Sequence, residues 1–341
     1  MVAQVELSSL HVSDKLGDGG EGEVFRISNQ SGQVLKLFKD SVRHELNEAG
    51  LVSTIGLLDS FSQADRAFVQ SRSVWPSTVV RDSGAFVGFL MPILPSQYFV
   101  KHGQLGNPIE GMNDWNKLTF RREWIENKNL ESSSPALWYP TGKKLEALSD
   151  LEANKRTSLL RLLLDVAKIF ETLHRHNIVV GDVSGRNILW SGSSGDSAML
   201  IDCDGCRLEN STGVTRAKQS PEWFDPALTG FTNIQSDLYK LSVAIYRGYF
   251  SDGLGLPSNN RIPLASNADQ QIFKLAERGV ANSNRPTASE WVDVLNNAVF
   301  ESENAGRPVL DDWRTGIDPN RPAKTGKVID VDDERPTITW N

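Results

Sequence analysis

The chain has 341 residues, of which 39% are hydrophobic and 23% are charged, as in ordinary folded proteins and unlike fibrous or disordered ones. This length exceeds the size at which one core is usual, so we expect one large two-lobed domain or two domains. The 36 Lys and Arg against 43 Asp and Glu give a net charge of −7, with no overall basic field for nucleic acid or anionic lipid. We therefore expect neither nucleic acid nor membrane as a partner.

The N-terminal sequence MVAQVELSSL lacks a charged stretch followed by an apolar core, and no run is long enough to cross a bilayer, which favours the cytoplasm. Only two cysteines are present, Cys203 and Cys206, too few and too close together for a disulfide framework. Their C-x-x-C spacing is found in redox pairs and zinc sites, yet no second Cys or His pair completes four ligands. We interpret them as small packing residues in a loop.

From about residue 10 to residue 40 the pattern changes every few residues and predicts three strands joined by turns, an antiparallel meander. The segment SVRHELNEAGLVSTI carries apolar residues at roughly helical spacing from Val42 to Ile55, which predicts a helix. STVVRD and AFVGFLMPIL predict two further strands around a turn. The first hundred residues are therefore predicted to form a small sheet with one helix.

Residues 97–154 show no sustained period, and we predict short helices and loops there. Their aromatic residues are scattered among Gly, Asn, Ser and Pro; they include Trp115, Trp124, Trp138 and Tyr139. Because exposed aromatic patches are unusual, we expect these side chains to fill a core rather than a partner surface.

The helical signal sharpens from Lys155, where apolar residues from Leu159 to Leu173 step by four and three and predict a long amphipathic helix. The stretches IVV, NILW and AMLID predict short strands. A second apolar helix is predicted to start at Asp237, and a last one follows Thr287, which forms a capping box with Glu290. Residues from about 302 onward are rich in Pro, Gly, Asp and Arg and predict a tail.

The stretch LGDGGEGEV places Gly17, Gly19, Gly22 and Val24 in the order G-x-G-x-x-G-x-V. Glycines also make simple hairpin turns, but this motif lies between two predicted strands, unlike the strand-to-helix motif of dinucleotide folds. In this context it resembles the loop that covers the ATP phosphates in protein kinases.

The resemblance extends to Val34-Leu35-Lys36 on the third predicted strand, where protein kinases carry alanine-x-lysine. It implies that Lys36 pairs with the α- and β-phosphates of ATP. In the next helix Glu48 is followed by apolar residues three and seven positions later, which leaves its carboxylate free to meet Lys36. Glu45 is the alternative partner, and the spacing favours Glu48.

Val180-Gly181-Asp182 followed by Asn187 resembles the His-Arg-Asp-x-x-x-x-Asn catalytic loop of kinases, with the Asp-to-Asn spacing intact. Asp202-Cys203-Asp204-Gly205 falls where that family has Asp-Phe-Gly. Asp202 directly follows an apolar strand and is favoured as the metal-binding aspartate, with Asp204 as the alternative. The resemblance implies that Asp182 is the catalytic base, and that Asn187 and Asp202 hold Mg²⁺, or Mn²⁺ in its place.

Three further matches concern the architecture. SPEW at 220–223 resembles the Ala-Pro-Glu of protein kinases, and Asp237 falls where a helix supports the catalytic loop. Arg285 in NRPTASEW resembles the arginine that bonds the Ala-Pro-Glu carboxylate, which implies a buried pair between Glu222 and Arg285.

Trp75-Pro76 followed by GFLMPIL resembles a bacterial branch of eukaryotic-like Ser/Thr protein kinases. In that branch the corresponding segment forms the back of the nucleotide pocket and the hinge. The implied nucleotide site consists of Gly17, Gly19, Gly22, Val24, Val34, Lys36, Met91 as gatekeeper, and the backbone near Ile93 and Leu94.

Together these matches cover about residues 12–298 and imply an α+β, two-lobed protein-kinase-like fold. Residues 1–94 are expected to form a small antiparallel sheet with one main helix, and 95–300 a mainly helical lobe with an insertion at about 97–154. Residues 301–341 are expected to be an extended or surface-pinned tail. The implied activity is Mg-dependent transfer of the ATP γ-phosphate to Ser or Thr of protein substrates; a small-molecule kinase and a pseudokinase scaffold are the alternatives.

The chain departs from the kinase pattern at four positions. Val180 and Gly181 replace the His and Arg before the catalytic aspartate, so the usual ion pair to a phosphorylated loop cannot form. We therefore expect activity without phosphorylation of the segment between 207 and 220. Ser184 stands where Ser/Thr kinases have a lysine, with Arg186 as a candidate replacement, and Cys203 replaces the phenylalanine.

Overall fold

A six-stranded sheet is the main feature of the first 92 residues of the protein, seen in a computed structural model that describes residues 2–102, 109–119, 155–191, 197–215, 220–250, 253–257, 264 and 266–304. Its strands are β1 (Ala3–Glu6), β2 (Val12–Asp18), β3 (Gly22–Ile27), β4 (Gln33–Phe38), β5 (Thr78–Asp82) and β6 (Ala85–Pro92). They are arranged in the order β1-β5-β6-β4-β3-β2.

The prediction of an antiparallel sheet is confirmed for β2 to β6 and wrong at one edge, where β1 runs parallel to β5. The sequence AQVE of β1 is short, and only Val5 is partly buried. Such an edge strand carries almost no alternating hydrophobic pattern, so sequence periodicity cannot detect it.

Three helical segments accompany this sheet instead of the single predicted helix: α1 (Asp40–Arg43), α2 (Glu48–Leu57) and α3 (Gln63–Ser71). The helix predicted across Val42 to Ile55 is interrupted because Asn47 is extended and its backbone N–H donates to the Val214 carbonyl at 2.8 Å. Helix α3 was not predicted; the Ser62 hydroxyl caps it by accepting the Asp65 N–H at 3.1 Å.

The remaining described elements are mainly helical. They are β7 (Phe99–His102), β8 (Ile109–Met112), α4 (Trp115–Thr119), α5 (Lys155–Arg175), β9 (Ile178–Val179), β10 (Ile188–Trp190), β11 (Ala198–Leu200), β12 (Arg207–Leu208), α6 (Ile234–Phe250), α7 (Asn267–Gly279) and α8 (Ala288–Asn304). The protein is therefore an α+β protein. None of its described helices is both long enough and apolar enough to cross a membrane.

The predicted long helix is α5, and the predicted short strands are β9, β10 and β11. Helix α6 begins at Ile234, one turn before the predicted start at Asp237. The capping box of α8 is confirmed, since the Glu290 N–H donates to Thr287 Oγ1 at 3.2 Å and the Thr287 N–H donates to Glu290 Oε2 at 2.8 Å.

The largest apolar core lies among α5, α6, α7 and α8. Trp115 is fully buried in it and donates its indole N–H to the Ala244 carbonyl at 2.9 Å. The expectation that the 97–154 aromatics fill a core is thus confirmed for Trp115. Trp124, Trp138 and Tyr139 lie outside the described residues, as does the predicted tail beyond Asn304.

The segment between α2 and β5 joins the sheet to the helical core. Phe61 stacks on His176 with ring centroids 3.7 Å apart, and Arg72 Nε donates to the Asp165 carboxylate at 2.8 Å. The Val74 N–H donates to the Leu200 carbonyl at 2.8 Å, which ties this segment directly to β11. These contacts fix the sheet against the helices on the side where α2 lies.

A buried ion pair anchors the segment before α6 to the start of α8. The Arg285 guanidinium donates to both oxygens of Asp225, at 2.6 and 2.7 Å, and both side chains are almost completely buried. The predicted pair between Glu222 and Arg285 is wrong, because the short turn Pro221–Trp223 leaves Glu222 exposed to solvent. Asp225, three residues later, takes the place expected for Glu222.

We expect Arg285→Met to lower the free energy of unfolding by about 3–5 kcal/mol, because the Asp225 carboxylate is left buried without its partner. Asp225→Asn is expected to be destabilising because it leaves the buried Arg285 guanidinium without a counter-charge. Glu222→Gln, an exposed change on the same turn, is expected to cost about 0.5 kcal/mol or less. Urea unfolding measures all three; an equal loss in Glu222→Gln would contradict the pairing.

Candidate functional site

A lysine from the sheet meets two carboxylates that follow β11. Lys36, on β4, donates its ammonium to Asp202 at 2.7 Å and to both oxygens of Asp204 at 2.9 and 3.0 Å. Lys36 lies between the buried residues of a central strand, and its ammonium is 5.5 Å from the ring centroid of Phe89. The resemblance implies that Lys36 and Asp202 serve one nucleotide site, and the structure brings these two side chains together with Asp204.

Charge decides the protonation state of Lys36. Burial disfavours its ammonium, but the charges of Asp204 and Asp202 outweigh that effect, and the pKa of Lys36 is raised above its ordinary value. One ammonium thus faces two carboxylates. Burial in turn raises the pKa of Asp204, an effect that the Lys36 charge opposes and the Asp202 charge adds to.

The two aspartates differ in exposure. Asp202 has the left-handed backbone conformation φ 60°, ψ 40°, which Asp tolerates better than most residues, and its side chain is 49% exposed. Asp204 lies in the tight turn Cys203–Gly205, and its side chain is 6% exposed. Asp202 therefore keeps a free face toward solvent, whereas Asp204 is enclosed with Lys36.

The backbone of the loop VVGDVSGRNILW is held by two side chains of α6. The Asp237 carboxylate accepts the N–H groups of Val180 at 2.6 Å and Gly181 at 3.0 Å. Lys240, one turn further along α6, donates its ammonium to the Gly181 carbonyl at 2.7 Å. Both side chains are completely buried, so this loop is fixed by two charged groups immediately before Asp182.

Asp182 and Asn187 are in direct contact, since Asn187 Nδ2 donates to Asp182 Oδ2 at 3.1 Å and to the Asp182 carbonyl at 2.9 Å. Burial raises the pKa of Asp182; the Asp202 charge also raises it, whereas the Lys240 charge and the Asn187 hydrogen bond lower it. A carboxylate with a raised pKa is a stronger base, which suits proton abstraction.

One cavity of about 630 Å³ is lined by Lys36 and by the carboxylates of Asp182, Asp202 and Asp204. The 207–215 segment forms much of its wall, and Phe231 lies at its edge with 73% exposure. The charged side chains that line it include Glu21, Lys36, Asp182, Asp202, Asp204 and Arg207. Groups from three separate parts of the chain therefore share one cleft.

The glycine motif lies in the β2–β3 hairpin, as predicted. The Gly19 N–H donates to the Gly22 carbonyl at 2.8 Å, and a Cβ on Gly22 would lie 2.7 Å from the Leu37 carbonyl oxygen. Gly17 pairs with Val24 in the sheet register. These residues lie outside the cavity lining, to which the hairpin contributes Glu21.

The residues assigned to adenine lie at the end of β6. Met91 pairs with Val34 of β4, and the Ile93 N–H donates to the Gly32 carbonyl at 2.9 Å. Leu94 packs against a small apolar cluster around Tyr98. The cavity lining includes none of the residues Val34, Met91, Ile93 and Leu94. The Ile93 N–H already donates to a carbonyl within the protein.

The structure does not bring Glu48 to Lys36. Glu48 instead pairs with Arg81 of β5, because the start of α2 directs its carboxylate toward that strand. The predicted Lys36–Glu48 pair is therefore absent from this structure, and Asp204 occupies the position beside Lys36. The alternative, Glu45, lines the cavity with 65% of its side chain exposed.

Arg207 fixes the 207–215 segment next to the loop VVGDVSGRNILW. Its guanidinium donates to the Ser211 carbonyl at 3.0 Å, to Thr232 Oγ1 at 3.1 Å and to the Thr232 carbonyl. A Cβ on Gly181, whose φ is +81°, would lie 3.6 Å from this guanidinium. A cation from the following segment thus lies beside the position where the kinase pattern has its arginine.

Sequence reasoning missed Lys240, Arg207 and Asp225. Lys240 had a usable signal, because a lysine within the apolar run LYKLSVAIY must be buried and therefore paired. Arg207 and Asp225 carried no such signal, because a two-residue strand and an irregular segment are both too short of pattern for periodicity to indicate burial.

Cys203 and Cys206 are both buried and unpaired, within the main apolar core. A hydrogen bond to Cys203 and burial raise the pKa of the Cys206 thiol well above its ordinary value. Because redox chemistry and metal binding require a thiolate, this environment favours the interpretation of packing residues.

The donors that could hold a metal are oxygens. Among the described residues, no three His, Cys, Asp or Glu side chains form a metal-binding group. Asp202 offers a half-exposed carboxylate, and the amide nitrogen of Asn187 is occupied by Asp182, which leaves its oxygen for another partner. This set fits Mg²⁺, which uses one or two protein oxygens and takes its other ligands from phosphate and water.

Comparison of the chain with models of protein families and with curated proteins found no match.

We expect Arg207→Met to increase amide hydrogen exchange across the 207–215 segment by about tenfold or more, because its three carbonyl and hydroxyl acceptors lose their donor. Mass spectrometry of phosphatase-treated protein measures this without any contribution from phosphorylation. Lys274→Met, which removes an exposed cation on α7, serves as the control. Slow exchange that persists in Arg207→Met, or fast exchange in the unmodified chain, would contradict the role of Arg207.

Proposed function

We propose that the protein is a Ser/Thr protein kinase that transfers the γ-phosphate of Mg-ATP to protein substrates in the cytoplasm. The observation that carries the proposal is the 2.7 Å contact between Lys36 and Asp202, in a cleft also lined by Asp182, to which Asn187 donates a hydrogen bond. Phosphoryl transfer needs this combination of a cation, metal-binding oxygens and a base.

The finer fold proposed is a two-lobed, kinase-like arrangement, with the sheet as one lobe and the helices as the other. It is supported by the glycine hairpin, by Lys36 on the adjacent strand, and by the position of Asp237 beneath the catalytic loop. The cavity between Lys36 and Asp182 would be the active site.

In this proposal Lys36 binds the phosphates of ATP, and the glycine hairpin covers them. Asn187 and Asp202 would hold Mg²⁺, which would supply positive charge to the phosphate oxygens. Met91 and the backbone near Ile93 and Leu94 would contact adenine. Adenine binding would then require the Ile93 N–H to leave the Gly32 carbonyl.

Asp182 acts as the base in the chemical step. The substrate hydroxyl oxygen forms a bond to the γ-phosphorus, the bond from that phosphorus to the β–γ bridging oxygen breaks, and the hydroxyl proton passes to the Asp182 carboxylate. The raised pKa of Asp182, caused chiefly by burial, makes the carboxylate a better acceptor. Its contact with Asn187 holds it in place.

Lys240 supplies the positive charge that the catalytic loop lacks. Ser184 is buried in place of the usual lysine, and Arg186 is exposed on the loop surface. Lys240 is buried beneath the loop, bonds the Gly181 carbonyl, and lowers the pKa of Asp182. We assign it as a positioning residue, because it acts through the loop backbone and Asp182.

One observation favours a nucleotide-binding scaffold without catalysis as the second candidate. Ser184, which is buried, stands where Ser/Thr kinases have a lysine that acts in the transfer step, and this departure removes no group that binds ATP. Binding of ATP without transfer is the outcome that this candidate predicts.

The proposal is tested by incubating the protein with labelled ATP and Mg²⁺, alone and with a generic protein substrate. We expect label on Ser or Thr, and we expect Asp182→Asn to reduce its rate by a factor of about 10²–10⁴, the usual contribution of a positioned base. Asp293→Asn, an exposed change on α8, is the matched control.

The outcomes separate the candidates. Stabilisation of the protein by ATP without transfer would favour the scaffold. Transfer to a small molecule but to no protein would favour a small-molecule kinase, and neither binding nor transfer would overturn the proposal.

We expect activity to fall as the pH falls through the pKa of Asp182, because only the carboxylate form accepts a proton. Loss of the Lys240 charge raises this pKa further, so Lys240→Met should move the acidic limb of the kcat/KM profile to higher pH. Lys274→Met should leave the profile unchanged. An acidic limb that does not move in Lys240→Met would show that Lys240 does not influence the base.

A further inference from the structure

Among the residues that the structure describes, no carboxylate on an α-helix contacts Lys36. Glu48, the first residue of α2, is paired with Arg81, and both of these side chains are about one-quarter to one-third exposed at the outer side of the sheet. The carboxylates that hold Lys36 both come from the turn after β11. The residue that orients the phosphate-binding lysine must therefore be sought in that turn.

The two carboxylates of the turn are suited to different tasks. Asp202 is half exposed, faces the cavity and makes one contact with Lys36, so its carboxylate could bind a metal instead of Lys36. Asp204 is enclosed, contacts the ammonium with both oxygens, and is held by a turn in which the Cys206 N–H bonds the Cys203 carbonyl at 3.1 Å. Only Asp204 can stay with Lys36 while Asp202 binds a metal.

Helix α2 is fixed to the residues around this turn. Thr54 donates its hydroxyl to the Cys206 carbonyl at 2.6 Å, and Trp75 donates its indole N–H to the Thr54 carbonyl at 3.1 Å. A Cβ on Gly50 would lie 2.5 Å from the Gly213 carbonyl oxygen, so the two backbones are in direct contact. A rotation of α2 away from the turn would break all three contacts. Because both carboxylates that contact Lys36 lie in that turn, the orientation of Lys36 does not depend on a movement of α2.

We propose that Asp204 is the positioning residue that orients Lys36 toward the ATP phosphates, in place of an α2 glutamate, while Asp202 serves the metal. This inference rests on the proposed kinase function. It assigns separate roles to two aspartates that the sequence alone leaves as competitors for one role. It also makes the orientation of Lys36 a constant property of the turn rather than a consequence of helix movement.

The test compares Asp204→Asn, Asp204→Glu and Glu48→Gln with the unmodified chain, measuring kcat and the KM for ATP separately. We expect Asp204→Asn to reduce kcat/KM for ATP by about tenfold to a hundredfold, the effect of losing one charge-assisted contact. Asp204→Glu, which keeps the charge, should recover part of the loss. Glu48→Gln should stay within about twofold, as expected for a surface pair.

The KM for ATP separates positioning from a merely structural role. Lys36 binds the phosphates in the proposed function, so loss of the residue that orients it should raise the KM for ATP in Asp204→Asn, whereas a variant that is only less stable keeps the KM of its folded fraction. Glu48→Gln should leave the KM for ATP unchanged.

The outcomes distinguish this inference from the proposed function. An active unmodified chain in which Glu48→Gln loses about tenfold or more overturns the inference and leaves the kinase proposal intact, even where Asp204→Asn fails to fold. An active Asp204→Asn with an unchanged KM for ATP also overturns it. An unmodified chain that neither binds ATP nor transfers phosphate overturns both.

Discussion

The contact of Lys36 with Asp202 and Asp204 is the constraint on which the arrangement of the whole cleft depends. A buried ammonium is unfavourable unless carboxylates meet it, and these carboxylates lie 166 and 168 residues further along the chain. Satisfying them forces the centre of the sheet against the turn that follows β11. This contact also brings the loop VVGDVSGRNILW and the 207–215 segment to the cavity beside Lys36.

A second set of buried charges plays the same part within the helical region. Asp237 and Lys240 hold the backbone of the loop VVGDVSGRNILW, and Arg285 holds Asp225. Apolar packing among α5, α6, α7 and α8 supplies most of the stability, since it is proportional to the buried area and has no direction. The charged contacts have direction, and they determine where each loop lies on that core.

The sequence predicted those features that depend on neighbours in the chain. The strand–turn–strand around the glycines and the long helix α5 follow from local spacing. The carboxylate that Lys36 contacts in addition to Asp202 could not be predicted. Glu48 and Glu45 are alternatives by spacing, yet the partner of Lys36 is Asp204, because helix termini and turns decide which carboxylate faces the cleft.

The fixed position of α2 and the position of Arg207 have a common consequence for the proposed kinase. Thr54 of α2 bonds the Cys206 carbonyl, and Gly50 of α2 contacts the Gly213 backbone. Helix α2 therefore cannot move without disturbing the 207–215 segment. The segment in turn is held by Arg207 through groups of its own chain, without a phosphate. A movement of α2 and a rearrangement of the 207–215 segment are two changes that could switch such a site, and the contacts between these elements hold both in one conformation. Regulation would therefore have to act on access to the cavity rather than on its internal geometry.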